Sequence, residues 1–197
     1  METQIQTFIF YGQVGSGKGT QAKLLMEYLK AKDGRESVYA GTGEGFRKLL
    51  ETKNYTSSLV KDSMLRGELQ PDFLTTSIFT NILVSSLDAG KHLFADGYPR
   101  TTAQSETFET MMKFFKRESI KIIYIELSKE EAMKRNLLRG RADDTEEGLN
   151  RRFDEYFNNV MPSMEYFKDK EGYEVCTIDG EQSIEDVQKE IISAIGL

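Results

Sequence analysis

The sequence predicts an α/β fold in three layers, a five-stranded parallel sheet with helices on both faces. Three observations predict it. Five short apolar runs, Phe8–Tyr11, Val38–Ala40, Leu93–Ala95, Ile122–Leu127 and Tyr173–Ile178, have the length of buried strands. Segments with helical periodicity, Ala22–Leu29, Phe73–Leu87, Thr107–Phe115 and Ala132–Leu138, lie between them, and such alternation implies right-handed crossovers and parallel pairing. A glycine-rich turn, Gly12-Gln13-Val14-Gly15-Ser16-Gly17-Lys18-Gly19-Thr20-Gln21, joins the first strand to the first helix.

That turn is built to hold phosphate. Its glycines let the backbone curl so that successive N–H groups point at an anion, at a helix N-terminus whose dipole favours negative charge. Lys18 adds a mobile cation that can follow a phosphoryl group. A glycine-rich turn can also bind nothing, but G-x-x-x-x-G-K between a strand and a helix is specific enough to predict a nucleoside triphosphate site. The second strand runs into Gly41-Thr42 and the third into Asp96-Gly97, so these residues fall with the turn at the carboxyl ends of the strands, where such sheets bind ligands.

Two excursions interrupt the alternation. Residues 41–70 hold two amphipathic helical stretches without a strand, and residues 139–150 have no strand and few apolar side chains. After them Leu149–Lys168 reads as helical, with a break or kink expected just before Pro162. Gly140 is placed to end the preceding helix.

Composition narrows the function classes. At 197 residues the chain suits a single domain with small inserts, and its formal charge of −6 argues against nucleic-acid or anionic-membrane partners. Basic residues recur instead beside glycines and turns, as Lys18, Arg47, Arg100, Arg139 and Arg141, which suits gathering around one small anion. Cys176 is the one cysteine, so neither an internal disulfide nor a cysteine-based structural zinc site is expected. His92, the one histidine, is expected to be structural. No apolar run approaches membrane-spanning length and no signal peptide is evident, so a cytoplasmic setting is expected.

The lysine is followed by Gly19 and only then by Thr20. This Gly-x-x-Gly-x-Gly-Lys-Gly-Thr-Gln pattern resembles that of the adenylate kinases and their nucleoside monophosphate kinase relatives. Four further stretches carry the resemblance along nearly the whole chain: Gly41-Thr42-Gly43-Glu44-Gly45-Phe46-Arg47, Gly67-Glu68-Leu69-Gln70-Pro71-Asp72, Asp96-Gly97-Tyr98-Pro99-Arg100-Thr101-Thr102-Ala103-Gln104, and Arg139-Gly140-Arg141-Ala142-Asp143-Asp144. The resemblance implies one P-loop kinase domain over 1–197, with a monophosphate-binding insert at 41–70 and a short lid at 139–150. It implies ATP + AMP ⇌ 2 ADP, with Mg²⁺ arriving on ATP, and a monomer whose partners are small-molecule substrates.

It also implies roles for particular residues. Lys18, Arg100, Arg139, Arg141 and Arg152 would be catalytic, because guanidinium groups grip phosphate oxygens bidentately and stay charged. ATP would lie on Gly15, Ser16, Gly17, Lys18, Gly19, Thr20, Arg135, Arg139 and Gln182. AMP would lie on Thr42, Arg47, Glu68, Leu69, Gln70, Gly97, Tyr98, Pro99, Arg100, Gln104, Arg141 and Arg152. Thr20 would lie close to Mg²⁺, and Asp96 would reach it through water. Arg135 and Arg139, one helical turn apart, share a face. Arg152 follows Asp143 at the family's spacing, with Arg151 beside it as the competitor. Asp143 and Asp144 suit either a helix start or the orientation of the lid arginines.

Thr42 and Gln104 match adenine-reading positions, and a Gln amide can both donate to and accept from a base edge. The chain departs from the family pattern at Glu44-Gly45, Gln70, Phe73 and Tyr98, and Gln70 leaves the acceptor base open. A kinase of CMP or UMP is therefore an alternative, as is a regulatory nucleotide-binding protein without transfer. The second set of arginines speaks against the regulatory alternative, because a simple switch has no use for them.

Overall fold

The computed structural model describes residues 4–141 and 144–197. All five expected strands form: β1 (Thr7–Tyr11), β2 (Ser37–Gly41), β3 (His92–Asp96), β4 (Ile120–Glu126) and β5 (Tyr173–Asp179). They make one sheet in the order β2-β3-β1-β4-β5, with every pairing parallel. The helices are α1 (Lys18–Asp33), α2 (Thr42–Glu51), α3 (Tyr55–Leu65), α4 (Asp72–Ser86), α5 (Thr102–Phe114), α6 (Lys129–Arg139), α7 (Glu146–Glu155), α8 (Met161–Glu165) and α9 (Ile184–Ala194).

β1 is central and buried along its whole length, which is why it reads as a continuous apolar run rather than an alternation. Its side chains still divide between the two faces. Phe8 and Phe10 pack with Phe94, Ile123 and Ile125 against Leu25 and Leu29 of α1 and Val187 and Ile191 of α9. Ile9 and Tyr11 pack on the opposite face with Phe79 and Leu83 of α4, Phe108 and Met112 of α5, and Met164 and Phe167. Each such side chain contributes about 1.5–3 kcal/mol on burial. The helix following β1 covers one face and α5, following β3, covers the other. The chain leaving the neighbouring strands β1 and β3, which stay paired to Phe10 and Asp96, therefore turns to opposite faces and leaves a crevice at their carboxyl ends.

The interruption expected before Pro162 takes the form of a π-helical turn over Tyr156–Val160, between α7 and α8. Proline supplies no N–H and its ring crowds the carbonyl four residues back, so the wider turn accommodates it without ending the rod. His92 opens β3, fully buried, with its Nδ1 accepting from the Gln6 N–H (2.9 Å) and its Nε2 3.1 Å from Asp33 Oδ2. Burial lowers its pKa in spite of Asp33, and it serves as a structural joint between α1 and the sheet.

Candidate functional site

A cleft of about 590 Å³ opens at the carboxyl ends of the strands, lined by the glycine-rich loop, α2, the loop after β3, the end of α6 and α7. α1 begins directly from this loop. Its N-cap is Gly17 with φ 91°, no side chain caps the first turn, and no acidic residue stands in it. The orphan N–H groups of that turn and the positive end of the helix dipole are thus left for an anion. At Gly15 the loop passes so close to α6 that a Cβ would meet Asn136 Nδ2 at 2.5 Å. Glycine is required there for close approach as well as for its φ of 86°.

Lys18 folds back over the loop, its Nζ donating to the carbonyls of Gly12 (2.6 Å) and Gln13 (2.9 Å). Burial pushes its pKa down to about 8, with Arg100 and Arg139 adding to the fall and Asp96 opposing it. Asp96 ends β3 and accepts a hydrogen bond from Tyr39 Oη (2.6 Å) on the adjacent β2. Nothing in the sequence singles out Tyr39, which reads there as an ordinary strand residue. Parallel pairing sets Gly41 opposite Asp96, and the absence of a side chain at Gly41 lets the Tyr39 ring lie across it, since a Cβ there would be 2.5 Å from the ring.

The residues expected to hold the monophosphate that line the cleft are Thr42, Arg47, Glu68, Leu69, Gln70, Gly97, Pro99, Arg100 and Gln104. The Gly97 carbonyl accepts from Thr42 Oγ1 (2.7 Å) and from Arg100 Nε (2.9 Å), so one peptide group orients both side chains. A Cβ on Gly97 would be 2.7 Å from each of them. Burial lowers the Arg100 pKa from a value so high that the guanidinium remains charged. Gln70 accepts from Ser63 Oγ at 3.0 Å, and Glu68 is forked to Arg66 with both contacts at 2.8 Å. Tyr98 departs from the expectation. Its ring is buried and stacked on Phe79 at 4.3 Å, with its hydroxyl 3.2 Å from Thr76 Oγ1, so its side chain serves packing and does not line the cleft.

Arg135 and Arg139 of α6, Arg141 after it and Arg152 of α7 also line the cleft. Arg135 is held by Glu131 Oε1 (2.8 Å) and the Gly180 carbonyl (3.0 Å). Gly140 ends α6 in the left-handed conformation, as expected, and passes the chain to Arg141. Asp144 gathers the group: it accepts from Arg139 Nε and Nη2 (3.0 and 2.7 Å), from the Arg141 N–H (3.1 Å) and from Arg152 Nη1 (3.3 Å). Burial would raise its pKa, but the Arg139 guanidinium, the Arg141 N–H and Arg152 together outweigh that and the carboxyl lies below its usual value. Helix capping falls instead to Thr145, whose hydroxyl accepts from the Gly148 N–H. Asp144 therefore orients arginines, while Asp143 lies outside the described residues. Arg152 lines the cleft, whereas Arg151 reaches out to Glu68 Oε1 at 3.3 Å.

The segment read as nearly devoid of apolar anchoring is in fact tied down at its far end. Leu149 is fully buried with Leu127, Ala132 and Phe153, because it and Phe153 stand one turn apart on α7. A second hollow of about 340 Å³ adjoins the loop, bordered by Ser16, Gly17, Thr20, Arg135 and Gln182. Gln182 Nε2 donates there to the Asp179 carbonyl (3.3 Å) and to Glu190. Two phosphate-sized anions could be held between the two groups of arginines, with Lys18 between them. Among the described residues no three His, Cys, Asp or Glu side chains cluster to hold a metal ion, and no helix is long and apolar enough to cross a membrane.

Comparison with known proteins agrees with this geometry. The family model described as "Adenylate kinase" matches residues 10–172. A protein named adenylate kinase from Thermosipho melanesiensis is 33% identical over 95% of this chain and 98% of its own length. One from Prochlorococcus marinus (strain MIT 9301) is 34% identical over 93% and 94%, and "Adenylate kinase 1" of Nostoc sp. is 30% identical over 95% and 97%.

Proposed function

Because the chain belongs to the adenylate kinase family, we propose that it transfers the γ-phosphoryl group of ATP to AMP, giving two ADP, with Mg²⁺ carried on the ATP. The observation that carries this reading is the junction of two cation groups at one loop. Arg47 and Arg100 line the cleft with Thr42 and Gln104, Arg139, Arg141 and Arg152 line it beside Asp144, and Lys18 feels the charge of both Arg100 and Arg139. Residues 41–70 are then the monophosphate-binding insert, 139–150 the lid, and 1–197 one kinase domain acting as a monomer in the cytoplasm.

In this mechanism the loop N–H groups and Lys18 hold the β- and γ-phosphates of ATP, while Arg100 and Arg47 hold the AMP phosphate in line with them. Lys18 leaves the loop carbonyls for the phosphoryl oxygens, and the added negative charge restores the cation that burial weakens. Arg139, Arg141 and Arg152 neutralise charge on the group in flight, and Asp144 keeps them aimed. Phosphoryl transfer needs little else than this alignment, charge stabilisation and the exclusion of water.

The oxygen donors at the loop fit Mg²⁺, which binds few protein ligands and keeps several waters. Thr20 follows the loop lysine, and Asp96 presents a carboxylate fixed by Tyr39. Thr20 and Asp96 would hold it at the loop, where it would offset the negative charge of the phosphates.

A coupled assay of ATP against AMP, CMP, UMP and GMP tests the proposal. AMP should be phosphorylated at least about tenfold more efficiently than the others, since a matched pair of base-edge hydrogen bonds discriminates by more than ~1.4 kcal/mol. Preference for another monophosphate would overturn AMP as the acceptor.

A further inference from the structure

Asp72, at the start of α4, touches no residue of the phosphate grip, yet it holds Gln104, one of the two side chains expected to read the acceptor base. Gln104 is buried, and both ends of its amide are engaged. Its Oε1 accepts from the Arg100 N–H at 2.8 Å and its Nε2 donates to Asp72 Oδ1 at 2.8 Å. The second Asp72 oxygen accepts from Thr101 Oγ1 at 2.9 Å, and Thr101 Oγ1 in turn accepts from the Gln104 N–H at 3.2 Å. Turning the amide over would set its oxygen against a carboxylate and its NH₂ against an N–H. Two hydrogen bonds would become two repulsions, so the amide has one orientation.

We infer that Asp72 is a positioning residue that locks the Gln104 amide and thereby makes the acceptor site select a 6-amino purine over a 6-oxo purine. This rests on the reading of the cleft wall bearing Gln104 as the acceptor-base site. An amide oxygen has two lone pairs and an amide nitrogen two hydrogens, so the two internal bonds leave one acceptor and one donor side by side in fixed order. Adenine offers the complementary pair, the 6-amino donor beside the N1 acceptor. Hypoxanthine and guanine offer the reverse, an O6 acceptor beside an N1–H donor. A glutamine free to turn accommodates both edges, whereas a locked one accepts the first and opposes the second. The fork of Asp72 removes the freedom.

The experiment compares kcat/KM for AMP, purine riboside monophosphate and IMP with saturating ATP, in the wild type, Asp72→Asn, Gln104→Ala and the double variant. The wild type should rank AMP above purine riboside monophosphate, which lacks the 6-amino donor but keeps N1, and IMP last. Asp72→Asn leaves one acceptor oxygen for two donors and frees the amide. Its AMP-to-IMP ratio should fall about tenfold or more with the KM for ATP unchanged. In the Gln104→Ala background the same substitution should leave the ratio unmoved, since Asp72 acts through that amide. Equal losses for AMP and IMP in Asp72→Asn, or a full further change in the Gln104→Ala background, would overturn the inference and leave Asp72 a helix-start residue. Should Asp72→Asn not fold, Asp72→Glu keeps the charge and displaces the oxygens by one methylene, and it must shift the same ratio. A wild type inactive on all three nucleotides would instead contradict the acceptor reading itself.

Discussion

Lys18 enters the cleft with its charge already weakened, its pKa brought from 10.5 to about 8 by burial and by Arg100 and Arg139. That cost is reversed when phosphate arrives, so the charge is worth most in the transition state. Lys18→Met keeps the length of the side chain and removes the charge. It should lower kcat by a factor on the order of 10²–10³, as for loss of a preorganised electrostatic donor, with the thermal midpoint largely unchanged. The arginines should divide by wall. Arg100→Ala should weaken AMP binding and turnover while sparing ATP affinity, and Arg139→Ala should act on the triphosphate side. Titration calorimetry of each variant with each nucleotide checks this, and equal effects on both ligands would contradict it. At this scale the sequence was informative where a residue type is chemically committed, as with Lys18, Arg100 and Arg152. It was silent where a role depends on who stands opposite. Asp72 and Tyr39 take their partners from other elements, and no spacing along the chain encodes those meetings, while the residues alone leave Asp144 open between a helix start and the orientation of arginines.

At the scale of elements, strands and helices were legible because burial on both sheet faces leaves continuous apolar runs, and caps such as Gly140 are local. The anchoring of α7 was not legible, since a single leucine at position 149 gives no periodic signal until Phe153 is known to lie over it. The connection between α5 and the segment after α8 offers a test of element docking away from the cleft. Glu109 of α5 receives Lys113 Nζ (2.7 Å), Lys170 Nζ (2.6 Å) and Tyr166 Oη (2.7 Å). Hydrogen bonds from these three hold its pKa down to about 2 against an ordinary 4.5. A carboxylate depressed in the folded state stabilises above its unfolded pKa, and that contribution is lost as pH falls through the folded one. Glu109→Gln should therefore lower the melting midpoint by about 2–4 °C at pH 7. Melting curves taken from pH 7 downward should show the difference shrinking below pH 4.5 and vanishing near pH 2. A difference constant across that range would mean the contacts are neutral packing.

For the whole molecule, strand order brings the glycine-rich loop after β1 and the Gly97–Gln104 segment after β3 to one crevice, and α6 and α7 bring further arginines to it. The central claim is that two nucleotides lie there at once with their phosphates meeting at Lys18. Binding of a compound with two adenosines joined by five phosphates, followed by calorimetry alone and after saturation with ATP or with AMP, tests it most directly. One molecule should bind per chain, far more tightly than either substrate, and each nucleotide alone should compete with it. Binding no tighter than ATP, displaced by ATP but unaffected by AMP, would contradict the account and leave a single nucleotide site.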